Sequence, residues 1–225
     1  MIAVEFPTTT RATTKRELFG KLAAIYDPFG LVSPTILQGK IIYRDACDLK
    51  IAWDTPLPVN LEQRWEKYEQ ALPSQITTPR PLAPNHQLVD SSELHVFGDA
   101  SINGVGTTVY SVVHQQGGVT QTLVATKSRL AKRNLTIPRL ELVSAHMATN
   151  LVTNVRNALE DLPELTIHGW LDSTVALHWI LGNGQYPQFG QPGEQDTRAS
   201  RNPVEARTYR GSNRRLTLSR MHMES

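Results

Sequence analysis

The sequence predicts an α/β protein in which a mixed sheet with flanking helices follows a small α-helical region. Three observations carry this. Segments 94–101, 104–113 and 120–128 are rich in β-branched and alternating apolar residues, with Asn103-Gly104 and Gly117-Gly118 between them; such dipeptides mark tight hairpin turns. A long amphipathic stretch, 136–159, and a fourth β segment, 165–172, come next, and three antiparallel strands, a helix and another strand make a mixed sheet. Ahead of all of these, apolar residues recur at helical spacing.

In chain order, residues 1–14 are threonine-rich, with little periodicity, and read as an unstructured start. Leu18, Leu22 and Ile25 then mark a first helix, broken by Asp27-Pro28-Phe29-Gly30, because proline cannot donate and glycine supplies the turn. Pro34 suits the first turn of a second helix running to about Leu49. Pro56 and Pro58 break the chain again, and a third helix from about Leu61 to Leu72 carries Trp65 and Tyr68. The helical unit covers 15–75. Residues 76–92, with Pro79, Pro81 and Pro84 among polar residues, read as a linker. The sheet-bearing domain spans 93–186, closing with a short helix over 173–182 that Gly182 and Gly184 stop. The stretch 187–225 is arginine-rich, lysine-free and full of Gly, Pro, Ser and Asn, a composition that does not fold alone.

Bulk properties narrow the function little. At 225 residues, 40% hydrophobic and 20% charged, the chain is of ordinary globular composition. A formal net charge of +2 is no electrostatic signature of a nucleic-acid binder. One cysteine, Cys47, excludes an internal disulfide framework and a multi-thiolate zinc site, fits a reducing compartment, and reads as a core residue. No apolar run approaches the ~20 residues of a membrane helix, and the start lacks a secretory signal. A soluble, intracellular protein without a membrane partner is expected.

Asp99 ends the first sheet strand, Asp172 ends the fourth, and Glu141 lies near the start of the long helix, in its predicted first turn. If the two strands pair, both aspartates emerge at one edge and the helix lowers Glu141 over them. Three carboxylates without a histidine or cysteine partner favour a hard, oxygen-loving cation, above all Mg²⁺. Each residue also has a plain structural reading: Asp99 as a turn residue, Asp172 as a helix N-cap, Glu141 as a complement to the helix dipole. Spacing alone leaves these open.

Longer strings add to this. TKRELFGKLAAIYDPFGLVSP (14–34), KIIYRDACDLKIAWDTPLP (40–58), HVFGDAS (95–101), KSRLA (127–131), TIPRLELVSA (136–145) and LDSTVALHWI (171–180) resemble BEL/Pao retrotransposon polyproteins, in the family's order. The resemblance implies a reverse transcriptase connection followed by a ribonuclease H-like domain. It implies that Asp99, Glu141 and Asp172 are the first three carboxylates of a two-metal site for Mg²⁺ (or Mn²⁺), with Asp99 bridging both ions. Its substrate would be the RNA strand of an RNA–DNA hybrid. Its other partner would be the remainder of the polyprotein, in the cytoplasm or in retroelement particles. The region also carries a Pao retrotransposon peptidase name, but an aspartic peptidase needs Asp-Thr-Gly or Asp-Ser-Gly, and Asp172-Ser173-Thr174 lacks the glycine. A further rival is a non-catalytic remnant that retains nucleic-acid affinity.

Lys127, Arg129, Lys132 and Arg133 precede the long helix and are candidates for substrate phosphates, or simply a solvated charged loop. His95, His168 and His178 share no metal-binding spacing, and Trp170 and Trp179 read as core. Ser173, though near His168 and Asp172, has no accompanying oxyanion-hole motif. The family expects a fourth aspartate in a segment resembling WRHVPxxxNPADL, which this sequence lacks. Back-translating Gly190 to about Ser219 with permitted codons and reading one base downstream yields such a string. The tail is therefore expected to be out of frame and disordered, the domain truncated at its C-terminus, and its activity impaired.

Overall fold

The structure is a computed structural model, and it describes residues 1–6, 11–79, 81–83, 87–159, 165–181, 206–208 and 216–218. Its element order is β1 (Ile2–Glu5), α1 (Lys15–Ala24), α2 (Ser33–Asp48), α3 (Val59–Gln70), β2 (Gln75–Thr78), β3 (Val89–Ala100), β4 (Gly104–Gln115), β5 (Gly118–Leu130), α4 (Ile137–Ala158), β6 (Leu165–Leu171), α5 (Thr174–Leu181), β7 (Ala206–Thr208) and β8 (Leu216–Leu218).

The helical region is held by reciprocal caps and one apolar cluster. Thr14 caps α1, accepting from the Glu17 amide, while the Glu17 carboxylate accepts from the Thr14 amide, so two otherwise orphan donors are satisfied. Leu18, Ile42, Ala46, Leu57, Leu61 and Trp65 pack together, one stripe from each helix plus the connecting loop. Lys21 on α1 pairs with Glu69 on α3.

Two boundary expectations are corrected. Residues 1–14 are not a structureless start, because Ile2–Glu5 pairs antiparallel with Gln75–Thr78. Val4 and Phe6 alternate into a cluster with Val32 and Ile36, and such alternation puts both on one face of a strand. The stretch 76–92 is likewise not all linker. Ile76-Thr77-Thr78 belongs to β2, which stops at Pro79 for want of an amide donor, and β3 already begins at Val89.

The main sheet has the order β5-β4-β3-β6. The first three strands are antiparallel neighbours, with β6 parallel to β3. A parallel neighbour requires a crossover, and α4 supplies it. One face of α4 presents Ala148, Val152 and Val155 to Leu94, Val96, Val109 and Ala125, while Leu140 and Met147 pack with Val105 and Ala131. No helix among the described residues is long and apolar enough to cross a membrane.

The Asp27-Pro28-Phe29-Gly30 turn docks the helical region onto β5. The Asp27 carboxylate accepts from the Leu31 and Val32 amides at 2.8 and 2.9 Å. Phe29 O then accepts from the Thr126 amide at 2.8 Å. Gly30 has φ +70°, and a β-carbon there would run into Thr126 O, so only glycine fits. Farther along, Ser128 Oγ donates to Ser33 O at 3.0 Å and Arg44 to Ala131 O at 3.0 Å.

In the tail, Ala206–Thr208 and Leu216–Leu218 pair antiparallel. Leu216, Thr217 and Leu218 join an apolar–polar–apolar alternation to a β-branched residue, as strands favour. The rest of the expected out-of-frame stretch lies outside the described residues.

Candidate metal centre

The register between β3 and β6 sets the centre. Gly98 is the partner of Leu171, so the residues one step on, Asp99 and Asp172, leave the two parallel strands side by side. Asp99 and Asp172 are exposed, while Glu141 reaches them from α4 and is only 4% exposed. One carboxylate oxygen from each lies within 4.8 Å of the others. The sequence-predicted trio is thus brought together.

The structural readings of the three lose ground. At the hairpin after Asp99, the Asp99 carboxylate accepts, among the described residues, only from the adjacent Ala100 amide, at 2.8 Å, and it is Ser101 that bonds across the turn. Its hydroxyl oxygen accepts from the amides of Asn103 and Gly104 at 3.3 and 3.1 Å. Before α5, Ser173 is the capping residue, its hydroxyl accepting from the Ala176 amide at 3.2 Å. Glu141 is corrected from the first turn of α4 to a position beyond it, since the helix begins at Ile137 and its first turn holds no acidic residue. The helix-dipole effect falls off within one turn, so it does not account for a buried carboxylate there.

Electrostatics follow from crowding. Burial pushes the Glu141 carboxyl up to about 7, with the nearby Asp172 and Asp99 charges adding to the effect. The Ala100 amide and the Ser144 hydroxyl pull the other way. Ser144 is fully buried; its hydroxyl donates to Glu141 O at 2.8 Å and lies 3.5 Å from Glu141 Oε2. Sequence reasoning missed Ser144, whose only signal was its place one turn after Glu141. Glycine at 98 is the second missed element. A β-carbon there would meet Leu171 Cδ2 at 2.8 Å and Ser144 O and Oγ at 3.2 Å, so its absence lets α4 lie close enough to bring Glu141 to the strand ends.

The candidate phosphate-binding residues divide. Lys127, Arg129, Lys132 and Arg133 are all exposed. Lys127 and Arg129 alternate along β5 with Thr126 and Ser128, which face the helical region. Arg133 is paired with Asp48 of α2 and so ties the long loop to the helical region.

A second cluster corrects another expectation. His95 and His168, which share no useful spacing in sequence, are direct partners across β3 and β6. Their rings stack at 4.8 Å between centroids, and both Nε2 atoms approach Glu93 Oε2, at 2.9 and 3.3 Å. Trp170 is half-buried in an aromatic row with Phe97 and His95 rather than in the core. The side chain of Trp179 lies outside the described residues.

The profile of a family described as Pao retrotransposon-like RNaseH-like domain matches residues 14–173. Among solved structures, the chain is similar to the foamy viral protease-reverse transcriptase dRH in complex with double-stranded DNA, at 18% identity and a TM-score of 0.44. That match covers 76% of this chain and 28% of the viral one, so this chain spans little more than a quarter of that protein's length. No curated protein matches. The family match takes in the greater part of the chain and all three carboxylates, from the cap of α1 to the residue after Asp172: the chain belongs to the Pao retrotransposon-like RNaseH-like family.

Proposed function

We propose that this chain is the ribonuclease H-like part of a BEL/Pao retrotransposon polyprotein, and that Asp99, Glu141 and Asp172 hold Mg²⁺ or Mn²⁺ for hydrolysis of the RNA strand of RNA–DNA hybrids. The observation that carries the reading is the convergence of three carboxylates from two strand ends and a helix within 4.8 Å, one of them buried. Ribonuclease H-like domains generally use divalent metals, and an all-carboxylate donor set suits hard cations. Burying Glu141 beside two like charges is unfavourable for the fold by itself, and a bound cation offsets that cost.

In this reading Asp99, at the junction of β3 and its hairpin, and Asp172, beside it at the end of β6, present exposed oxygens toward solvent and substrate. Glu141 closes the group from beneath, oriented by Ser144 and the Ala100 amide. Two divalent ions held by these carboxylates would supply an activated water and stabilisation for the leaving oxygen of a phosphodiester. Lys127, Arg129 and Lys132 attract the phosphate backbone of the hybrid, while Arg133 is committed to Asp48. The sequence lacks the WRHVPxxxNPADL-like segment in which the family carries its fourth aspartate, and on that ground we propose slow rather than full activity for this chain.

The test is cleavage of a labelled RNA–DNA hybrid by the full chain with Mg²⁺ or Mn²⁺. The expected result is metal-dependent cutting of the RNA strand, reduced at least 100-fold by Asp99→Asn. Cutting that persists unchanged in Asp99→Asn, or no cutting by wild type with either ion, contradicts the proposal.

A further inference from the structure

We propose that Glu93, His95 and His168 form a second metal site, chemically distinct from the carboxylate cluster, that takes a borderline transition-metal ion such as Zn²⁺. Glu93 and His95 lie on the face of β3 opposite α4, and the strand register sets His168 of β6 directly across from His95. One ligand atom from each residue lies within 4.8 Å of the others. Both imidazole Nε2 atoms converge on one oxygen, Glu93 Oε2, at 2.9 and 3.3 Å. Ligands held at about 2.0–2.1 Å in a tetrahedron stand roughly 3.3 Å apart, close to the two Nε2–Oε2 separations.

The donor set decides which ion. Two imidazoles and a carboxylate suit Zn²⁺ and its neighbours, whereas Mg²⁺ prefers oxygen alone. The ligands are also preorganised. They sit on paired strands, the His95 and His168 rings stack, and both side chains are about one-fifth exposed, so little side-chain freedom is lost on capture. His114 Nε2 stands 3.5 Å from the other Glu93 oxygen and orients the carboxylate. A groove of about 540 Å³, lined in part by Glu93, His95, Tyr110 and His114, leaves room for a water on the ion.

Trp170 reports occupancy. Its indole N–H donates to His95 Nδ1 at 3.2 Å, which places the ring proton of neutral His95 on Nε2, facing Glu93. When Nε2 binds a metal, that proton is displaced and Nδ1 takes one up from solvent, so the ring stays neutral. Nδ1 then no longer accepts, and the Trp170 N–H loses its partner.

The experiment is calorimetric titration of Zn²⁺ into the full chain in excess Mg²⁺, followed in parallel by the Trp170 indole N–H resonance. The expected result is one saturable Zn²⁺ site, weakened at least tenfold by His168→Asn and by Glu93→Gln, and unaffected by Asp99→Asn. The Trp170 resonance of the wild type should shift as that site fills. Zn²⁺ binding that Asp99→Asn abolishes overturns the proposal, as does no saturable binding, wild-type affinity in His168→Asn, or a Trp170 resonance that stays in place at saturation. Because the Trp170 readout needs no substitution, it decides the matter even if a variant fails to fold. Failure here leaves the carboxylate centre untouched, since that centre is read by Asp99→Asn.

Discussion

Gly98 lies directly under Ser144: a β-carbon on Gly98 would stand 3.2 Å from both the carbonyl and the hydroxyl oxygen of Ser144. Ser144 is fully buried and its hydroxyl donates to the backbone of Glu141, so this contact fixes how closely α4 carries Glu141 to the end of β3. Gly98→Ala should therefore act on both stability and site. Overpacking of this kind typically costs about 1–3 kcal/mol, and the displaced helix draws Glu141 away from Asp99. Chemical denaturation should show the loss in stability, and Mn²⁺ titration should show weaker binding. A Gly98→Ala variant with wild-type stability and wild-type Mn²⁺ affinity would show that the contact sets neither.

Glu141→Gln should stabilise the metal-free protein while removing its response to divalent ions. The Glu141 carboxyl is held above its ordinary 4.5, at about 7, by burial and then by Asp172 and Asp99. With the folded value above the unfolded one, there is no penalty below about pH 4.5. Between 4.5 and about 7 the folded state binds more protons than the unfolded state, so stability falls as pH rises. Above about 7 the penalty is complete. Glutamine keeps the shape and the acceptor without the charge. Thermal melts in chelator should thus show the variant gaining a few degrees at pH 8 and almost nothing at pH 4. Adding Mg²⁺ should raise the melting temperature of wild type only. The reverse order at pH 8 contradicts the electrostatic account.

The basic residues should separate by role. Lys127→Ala with Arg129→Ala should weaken hybrid binding and flatten its dependence on salt, because fewer counterions are released. Arg133→Ala should mainly reduce stability, by about 1 kcal/mol or less for a partly exposed pair, since Arg133 holds Asp48 of α2. Binding isotherms at several salt concentrations, together with melts, check both. Equal salt slopes for wild type and the Lys127/Arg129 double variant would remove these residues from the substrate surface.

What the sequence disclosed follows from range. The helices around Leu18, Ile42 and Trp65 and the strands on either side of Asn103-Gly104 are written in local periodicity and turn chemistry, and they appear within a few residues of their expected bounds. Strand ends and a helix near its start made Asp99, Glu141 and Asp172 candidates locally, but spacing alone left them open, and the resemblance of the longer strings singled them out. What stayed hidden depends on pairing between distant segments. Ile2–Glu5 finds its partner at Gln75–Thr78, so its short alternation looked like nothing on its own. His95 and His168 meet only through the β3–β6 register. Gly98 reads as one more small residue until α4 lies across it.

Calorimetric titration of Mn²⁺ into the full chain and its Asp99→Asn variant tests the central claim most directly, because it asks whether the converging carboxylates hold a divalent ion, without requiring turnover. The account predicts saturable binding by wild type and affinity at least tenfold lower in Asp99→Asn, with the variant still folded by circular dichroism. Equal Mn²⁺ affinity in the two proteins would contradict it.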